Sequence, residues 1–415
     1  MDDHEVRVAR AADAGPITDL VAQRLTPADA ANARLLLDRP EVGPGAFTVA
    51  VDRGGHLVGT VALLDATMRV GEVAVPAGEL VLLAVDRAHE GRGIARHLCE
   101  ALAASSLARG HLVRIVVGIP YFYRRLGYEY VAPHPAHRPV AEPAGGSGPS
   151  GPAAAPTSGA VAAGGAWAVR PAGVDDLDRV ALLHAAAQRS VGLALVRSPE
   201  AWRRLLDWSG SCLRVATRDG AIGAAARVAT HSDVVVITEA VASDATALRQ
   251  LVAATAAEVG DRSLFVDDRH DTLVASVWSQ LAAPAPVDDW YYLGCDRPVA
   301  LLDLLRPELE ARLARSPFAG VSRELTIGFY RWHVRLPIER GRIGELVAGG
   351  PLRVERDGGP PTVPPDAFLS LVLGPWTIDG LASHLPDARP GEGADLVRVL
   401  FPPARADLLT TDIAW

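Results

Sequence analysis

Two stretches of the chain carry residue types whose spacing can do chemistry. The first is Val81 to Arg96, Val-Leu-Leu-Ala-Val-Asp-Arg-Ala-His-Glu-Gly-Arg-Gly-Ile-Ala-Arg. It reads as a buried strand over Val81 to Val85, a short polar turn, and glycines opening a helix that runs through Leu98, Leu102 and Leu107. Gly91 and Gly93 let the backbone approach a ligand closely. The unpaired N–H groups of the first helical turn, with the positive end of the helix dipole, then point at whatever sits there. Phosphate is the natural occupant. The second stretch is Gly118 to Tyr130, Gly-Ile-Pro-Tyr-Phe-Tyr-Arg-Arg-Leu-Gly-Tyr-Glu-Tyr. Read by itself, its Tyr121, Phe122, Tyr123, Tyr128 and Tyr130 form an aromatic core cluster as readily as a functional group of phenols.

Spacing separates the phosphate loops that share this logic. A P-loop needs Lys-Ser or Lys-Thr after its glycines, and this chain has no lysine. A dinucleotide fingerprint needs a third glycine, which does not follow Gly91-Arg92-Gly93. What remains, Arg/Gln-x-x-Gly-x-Gly/Ala after a strand, resembles the pyrophosphate loop of the GNAT superfamily of N-acetyltransferases. Gly93 and Ala95 match it, whereas Glu90 stands where the family places Arg or Gln. A carboxylate beside a pyrophosphate repels unless it turns outward, so Arg92 is expected to supply the charge. Gly118 to Tyr130 resembles the family's Tyr-x-x-x-Gly-Tyr/Phe segment, with Tyr123 at the tyrosine position.

The resemblance implies acetyl-CoA as co-substrate and no metal. Backbone groups of Leu83, Ala84 and Val85 would hold the pantetheine arm and thioester, and Gly91, Arg92, Gly93, Ile94, Ala95 and Arg96 the pyrophosphate. Gly118 and Ile119 would flank the cofactor. Tyr123, with an ordinary pKa of about 10, suits protonation of the departing thiolate.

The elements that must position these residues follow in order. Val6 and Val8 alternate as a strand, and Asp13, Pro16, Ile17, Leu20 and Val21 mark a helix. A hairpin joins Ala46–Val51 to Leu57–Leu64 through Arg53-Gly54-Gly55. Met68 to Glu79 then leads into the central strand, and a strand at Leu112–Val117 precedes the tyrosine segment. This order is the topology of such acetyltransferases over the first ~135 residues. From Ala132 to Gly165 the composition turns to Pro, Ala, Gly and Ser, the mark of a flexible linker. His134 and His137 lie at its start among Pro133, Pro135 and Pro139, a poor setting for a metal site.

After the linker the opening pattern returns. Val169-Arg170-Pro171-Ala172 mirrors Ala9-Arg10-Ala11-Ala12, with Arg10 and Arg170 in corresponding places, and a second hairpin turns at Asp219-Gly220. This reads as a repeat of the acetyltransferase unit that is degenerate, because Ala242-Ser243-Asp244-Ala245-Thr246 replaces the glycine loop. The acidic run Asp267, Asp268, Arg269, His270, Asp271 reads as a solvated turn. A third unit starts near Leu293, with an amphipathic helix over Val299–Leu313, a strand-like Glu324–Leu336, strand residues at Leu352–Val354, and helices near Pro365–Leu373 and Ile378–Leu385.

The whole resembles the Eis family: an active GNAT unit, a degenerate second one, and a C-terminal unit like a sterol carrier protein. The fold class is thus α/β (α+β), with tandem GNAT-like mixed sheets, flanking helices and a C-terminal α+β domain. The domains fall at 1–133, a linker at 134–165, 166–293 and 294–415. In that family the terminal carboxylate on an aromatic last residue is the general base, which assigns the role to Trp415; the competing base is Glu79. The family also assembles as hexamers, so a homo-oligomer is expected.

Composition narrows the partners. The net charge of −8 argues against nucleic acid and favours cationic substrates; that all 41 basic residues are arginine carries no functional reading. No run is long enough to span a bilayer, and the acidic Met-Asp-Asp-His-Glu start does not read as a signal peptide, so a cytoplasmic protein is expected. Cys99, Cys212 and Cys295 are too scattered for a metal site and read as buried hydrophobes rather than a disulfide framework. The expected activity is acetyl transfer from acetyl-CoA to a primary amine of a cationic small molecule, such as an aminoglycoside or polyamine. The alternatives are an enzyme of antibiotic biosynthesis or self-resistance with one narrow substrate, and an acyl-CoA-binding regulator without transfer activity.

Overall fold

The computed structural model describes residues 4–119, 121–141, 166–287, 289–352 and 358–411. The chain divides into two compact units. The first gathers Met1–His134, Val191–Ser198 and Asp289–Trp415; the second holds Pro135–Ser190 and Pro199–Asp288.

In the first unit the chain runs through β1 (His4–Val8), α1 (Ala14–Arg24), α2 (Pro27–Asp38), β2 (Phe47–Asp52), β3 (Leu57–Val70), β4 (Val73–Val85), α3 (Ile94–Ala108), β5 (Val113–Val116) and β6 (Tyr128–Pro133). Strands β1 to β4 form an antiparallel meander, and β5 joins β4 in parallel after the α3 crossover. Thr26 starts α2 with a capping box, its Oγ1 accepting from the Asp29 amide at 3.1 Å, ahead of Pro27. The buried face of α3, Ile94, Leu98, Cys99 and Leu102, packs on the sheet where Gly59 lies. A Cβ at Gly59 would come within 2.8 Å of Ile94 and 2.9 Å of Leu98, so this glycine sets the depth of α3 against β3.

The strand Trp290–Gly294 sits in this same sheet, between β5 and β6 and antiparallel to both. Leu193–Val196 pairs with the far end of β3, and Ala406–Leu408 extends the sheet beyond it. The C-terminal residues add a small sheet, Arg323–Gly328, His333–Glu339, Arg342–Ile343 and Val347–Gly349, and, among the described residues, five short α-helices. One apolar core joins them to the back of the main sheet through Val113, Ile115, Leu293, Leu325 and Leu396.

Two expected elements of this region split. The helix over Val299–Leu313 breaks into Pro298–Leu304 and Arg306–Ala314, because Pro307 cannot donate the hydrogen bond that would carry the first turn through. The strand-like Glu324–Leu336 is a hairpin turning at Tyr330, which adopts φ +57. Of the Leu352–Val354 strand, residues 353 and 354 lie outside the described residues, as do residues 142–165 of the linker.

The second unit holds a sheet of six strands, ordered His137–Pro139, Ser263–Asp267, Val234–Ala242, Ala221–Thr230, Ser211–Arg218, Ala168–Pro171. Its opening repeats that of the first unit, though not in the expected register. Arg7 grips Asp13 with two hydrogen bonds, at 2.6 and 2.9 Å, and Arg170 grips Asp176 at the same two distances. Arg7, not Arg10, is therefore the counterpart of Arg170; each arginine reads a carboxylate six residues on, at the start of the helix. The acidic run is not a solvated turn throughout. Asp267 is 1% exposed at a strand end, where His137 Nδ1 donates to its carboxylate at 2.6 Å. Asp271 instead caps the helix Thr272–Leu281. All three cysteines are free, Cys99 buried, Cys295 half-buried and Cys212 exposed. No helix among the described residues is long and apolar enough to cross a membrane.

Candidate active site

The site begins with a fault in β4. Against β3, Thr60 faces Ala84 but Ala62 faces Val81, so two β4 residues stand opposite one on β3. The extra residue is accommodated by Leu82 at φ +55, a left-handed conformation that costs a leucine energy. On its other edge β4 pairs with β5 only over Ala77–Glu79. Beyond Glu79 no strand among the described residues pairs with that edge. Over Leu83–Val85 this outer edge of β4 is therefore left without a strand partner among the described residues, although Ala84 and Val85 stay in register with Thr60 and Gly59 of β3 and the Val85 carbonyl accepts from Arg24.

Past Val85 the chain makes a single 3₁₀ turn, Arg87–His89, capped by Asp86, and enters α3 through Gly91 at φ +75 and Gly93 at φ +82. A Cβ at Gly91 would meet nothing within 4 Å, and one at Gly93 only His97 at 3.9 Å. These glycines are required by backbone conformation, not by crowding. Gly93 is the N-cap of α3 and offers no side chain, so the first-turn N–H groups are left for a ligand. They face a cavity of about 260 Å³ whose walls include Glu90, Gly91, Gly93, Ile94, Ala95, Arg96 and Arg125. A second cavity of about 540 Å³ adjoins along α3 and shares Arg96, Arg125 and Leu126. Arg92 is exposed and lines neither; Arg96 and Arg125, which make no ion pair among the described residues, line both cavities, and the second also holds Arg114, paired to Asp296. Arg125 carries no motif that sequence reasoning could seize on.

Tyr123 opens a one-turn 3₁₀ helix, Tyr123–Leu126, closed by Gly127 in the left-handed region. Its ring is 5% exposed and lies against Gly118, where a Cβ would sit 3.1 Å from the ring and 3.5 Å from the hydroxyl. Phe122, Tyr128 and Tyr292 surround it at ring-centroid distances of 5.0, 5.7 and 5.8 Å. The aromatic cluster is thus a packed core that includes Tyr123. Tyr128 is core: burial pushes its phenol up to about 12, and the Arg114 Nε donates to its hydroxyl at 3.3 Å. Tyr123 is held by that core with its hydroxyl beside Gly118, at the end of β5. Ile119, 69% exposed, lies next to it.

The family described as "Acetyltransferase (GNAT) domain" matches residues 5–131. Those residues form a GNAT domain, and the chain is an acyltransferase. No curated protein sequence matches it. Among solved structures, the chain aligns with a GCN5-related N-acetyltransferase from Kribbella flavida at 16% identity, covering 99% of this chain and 98% of that one with a TM-score of 0.63. A second GCN5-related N-acetyltransferase, from Anabaena variabilis, aligns at 15% identity over 98% and 99% with a TM-score of 0.64. Eis1 from Mycobacterium abscessus aligns at 18% identity over 98% and 100% with a TM-score of 0.59. At these identities the likeness is one of fold.

The GNAT domain is not self-contained. The Tyr292 wall of Tyr123 comes from a strand more than 150 residues downstream of the domain's own sequence. Asp296, just after that strand, takes both arms of Arg114 in the floor of the second cavity. Glu79, at the point where β4 leaves β5, is 5% exposed and accepts from the Thr411 amide at 2.5 Å and the Thr411 hydroxyl at 2.9 Å. The chain just ahead of Thr411 is pinned by Tyr291, whose hydroxyl donates to the Leu408 carbonyl at 3.1 Å, and by Arg197, which donates to the Thr410 carbonyl at 2.8 Å. Trp415, the expected base, lies outside the described residues.

Proposed function

We propose that this acyltransferase takes acetyl-CoA and transfers the acetyl group directly to a primary amine of a cationic small molecule, of aminoglycoside or polyamine type. The observation that carries the reading is the presence in one GNAT domain of three features: the bulged edge of β4 at Leu82, the uncapped N-terminus of α3 at Gly93, and the Tyr123 hydroxyl beside Gly118. Pantetheine amides would pair with Leu83–Val85, the pyrophosphate would sit on the Gly91–Arg96 amides, and the nucleotide end would extend into the adjoining cavity past Arg96 and Arg125. The thioester then lies near Tyr123, which donates a proton to the thiolate as the amine attacks and the C–S bond breaks.

The amine must be neutral to attack. Glu79 has both oxygens on Thr411, which favours it as an anchor over a free base. By the Eis resemblance, the carboxylate of Trp415 would be the base that takes the amine's proton. The net charge of −8 supports a cationic acceptor. The Eis-like build also implies a homohexamer, which light scattering would test.

The deciding experiment is CoA release from acetyl-CoA against a panel of aminoglycosides, polyamines and amino acids, beside Tyr123→Phe and a variant lacking Trp415. Turnover on an amine is expected, with kcat reduced about 100-fold or more in Tyr123→Phe and the acetyl-CoA KM changed by less than about threefold. Acetyl-CoA binding with no turnover on any amine would overturn the transfer reading in favour of an acyl-CoA-binding regulator.

A further inference from the structure

Glu90, the residue that departs from the pyrophosphate-loop pattern, has a partner 66 positions upstream. Arg24, the last residue of α1, donates from Nη2 to Glu90 Oε1 and from Nε to the Val85 carbonyl at 2.7 Å. One guanidinium therefore brackets both ends of the turn between β4 and the glycines. Glu90 is a wall of the 260 Å³ cavity and Arg24 is not, so the arginine holds the carboxylate from outside the place where the anion would bind. The Arg24 side chain is 24% exposed and that of Glu90 52%. A pair this exposed adds little to folding stability by itself. Its consequence for a bound pyrophosphate is larger, because an uncompensated carboxylate would repel the anion across a few ångströms in a partly desolvated cavity. The planar fork also suits two acceptors at a fixed angle, one main-chain and one side-chain, which a single ammonium would not hold together.

We propose that Arg24 is a positioning residue of the cofactor site. It neutralises Glu90, keeps that carboxylate out of the pyrophosphate's path, and fixes the turn from Val85 to Glu90 so that the Gly91–Gly93 amides face the anion. This rests on the acyl-CoA reading of the loop and explains how a GNAT pyrophosphate loop works with an acidic residue at this position.

The test is the dissociation constant of CoA by calorimetry, and of pantetheine by competition, for the wild-type chain, Arg24→Ala and the double variant Arg24→Ala/Glu90→Gln. Arg24→Ala is expected to weaken CoA about tenfold while leaving pantetheine, which lacks the pyrophosphate, unchanged; removing the Glu90 charge as well should regain most of that loss. A double variant as weak as Arg24→Ala would overturn the proposal, since Arg24 would then be touching the ligand directly. Equal weakening of pantetheine and CoA would also overturn it, as loss of local structure. A wild-type chain that binds CoA, with Arg24→Ala unchanged, removes this inference alone; a wild-type chain that binds no CoA removes the cofactor reading and this inference with it.

Discussion

The turn that leaves the central strand occurs twice in this chain, once in each unit, and the two copies treat the following helix oppositely. In the first unit β4 bulges at Leu82, and the chain enters α3 through Gly93, which leaves the first-turn amides uncapped. In the second unit the strand Val234–Ala242 bulges at Glu239, at φ +54, with the same slip of register against its neighbour. There Asp244 caps the helix Ala245–Glu258, its Oδ1 accepting from the Thr246 and Ala247 amides at 2.7 and 3.0 Å. The bulge residue is also different, a buried glutamate 3.5 Å from Arg227 where the first unit has a leucine. Both units have the strand, the bulge and the helix dipole; on the proposed reading the first leaves its helix start open to an anion, whereas in the second the chain's own Asp244 carboxylate takes those amides.

The comparison is broken most directly by giving the first unit the second unit's cap. Gly93→Asp places a carboxylate at the N-cap, in a left-handed conformation that aspartate tolerates better than most residues. CoA affinity should fall about 100-fold by calorimetry, through like-charge repulsion and a capped amide. Unchanged affinity would mean that the pyrophosphate does not sit on these amides.

A smaller effect concerns another carboxylate set on amides, this one buried in β6. Glu129 of β6 accepts from the Leu369 and Ser370 amides, both at 3.0 Å. Burial nevertheless dominates these bonds and pushes its carboxyl up to about 7. With a folded pKa above the ordinary value of 4.5, the linked stability is fully present below about pH 4.5 and is lost as the pH rises through 7. The wild-type chain should lose on the order of 2 kcal/mol between pH 5 and 8 from this group, and Glu129→Gln should flatten that part of the urea-unfolding profile. Parallel profiles for the two proteins would refute the assignment.

The smallest change is expected in the second unit itself. Asp244→Ala should cost about 1 kcal/mol of that unit's stability by loss of the cap, read by urea unfolding. CoA stoichiometry should stay at one per chain even in Asp244→Gly. A second equivalent of CoA would show that the cap alone, and not the glutamate at the bulge, keeps the second unit closed.

Much of the GNAT domain was legible because its signals are local. The left-handed Gly91 and Gly93 were legible from the loop pattern, and the short helical turn from Tyr123 to Gly127 from its spacing. The repeat was legible as well, but one turn of pattern was matched to the wrong arginine, since Arg7 and Arg10 look alike until Asp13 chooses between them. Arg92 was expected to supply charge at the glycines, but Arg96 and Arg125 line the cavity: proximity in sequence to the glycines says nothing about which side chain the fold turns toward it.

By itself the sequence determined the local conformations of the proposed anion cradle: where φ is positive, where a helix starts, and whether its cap is a glycine or an aspartate. These depend on sterics and hydrogen bonds within a few residues. Only the tertiary structure decided who stands around the cradle. Arg24 against Glu90, Tyr292 against Tyr123 and Thr411 on Glu79 join residues 66, 169 and 332 positions apart. Pairings of that range are fixed by sheet order and core packing rather than by any pattern along the chain.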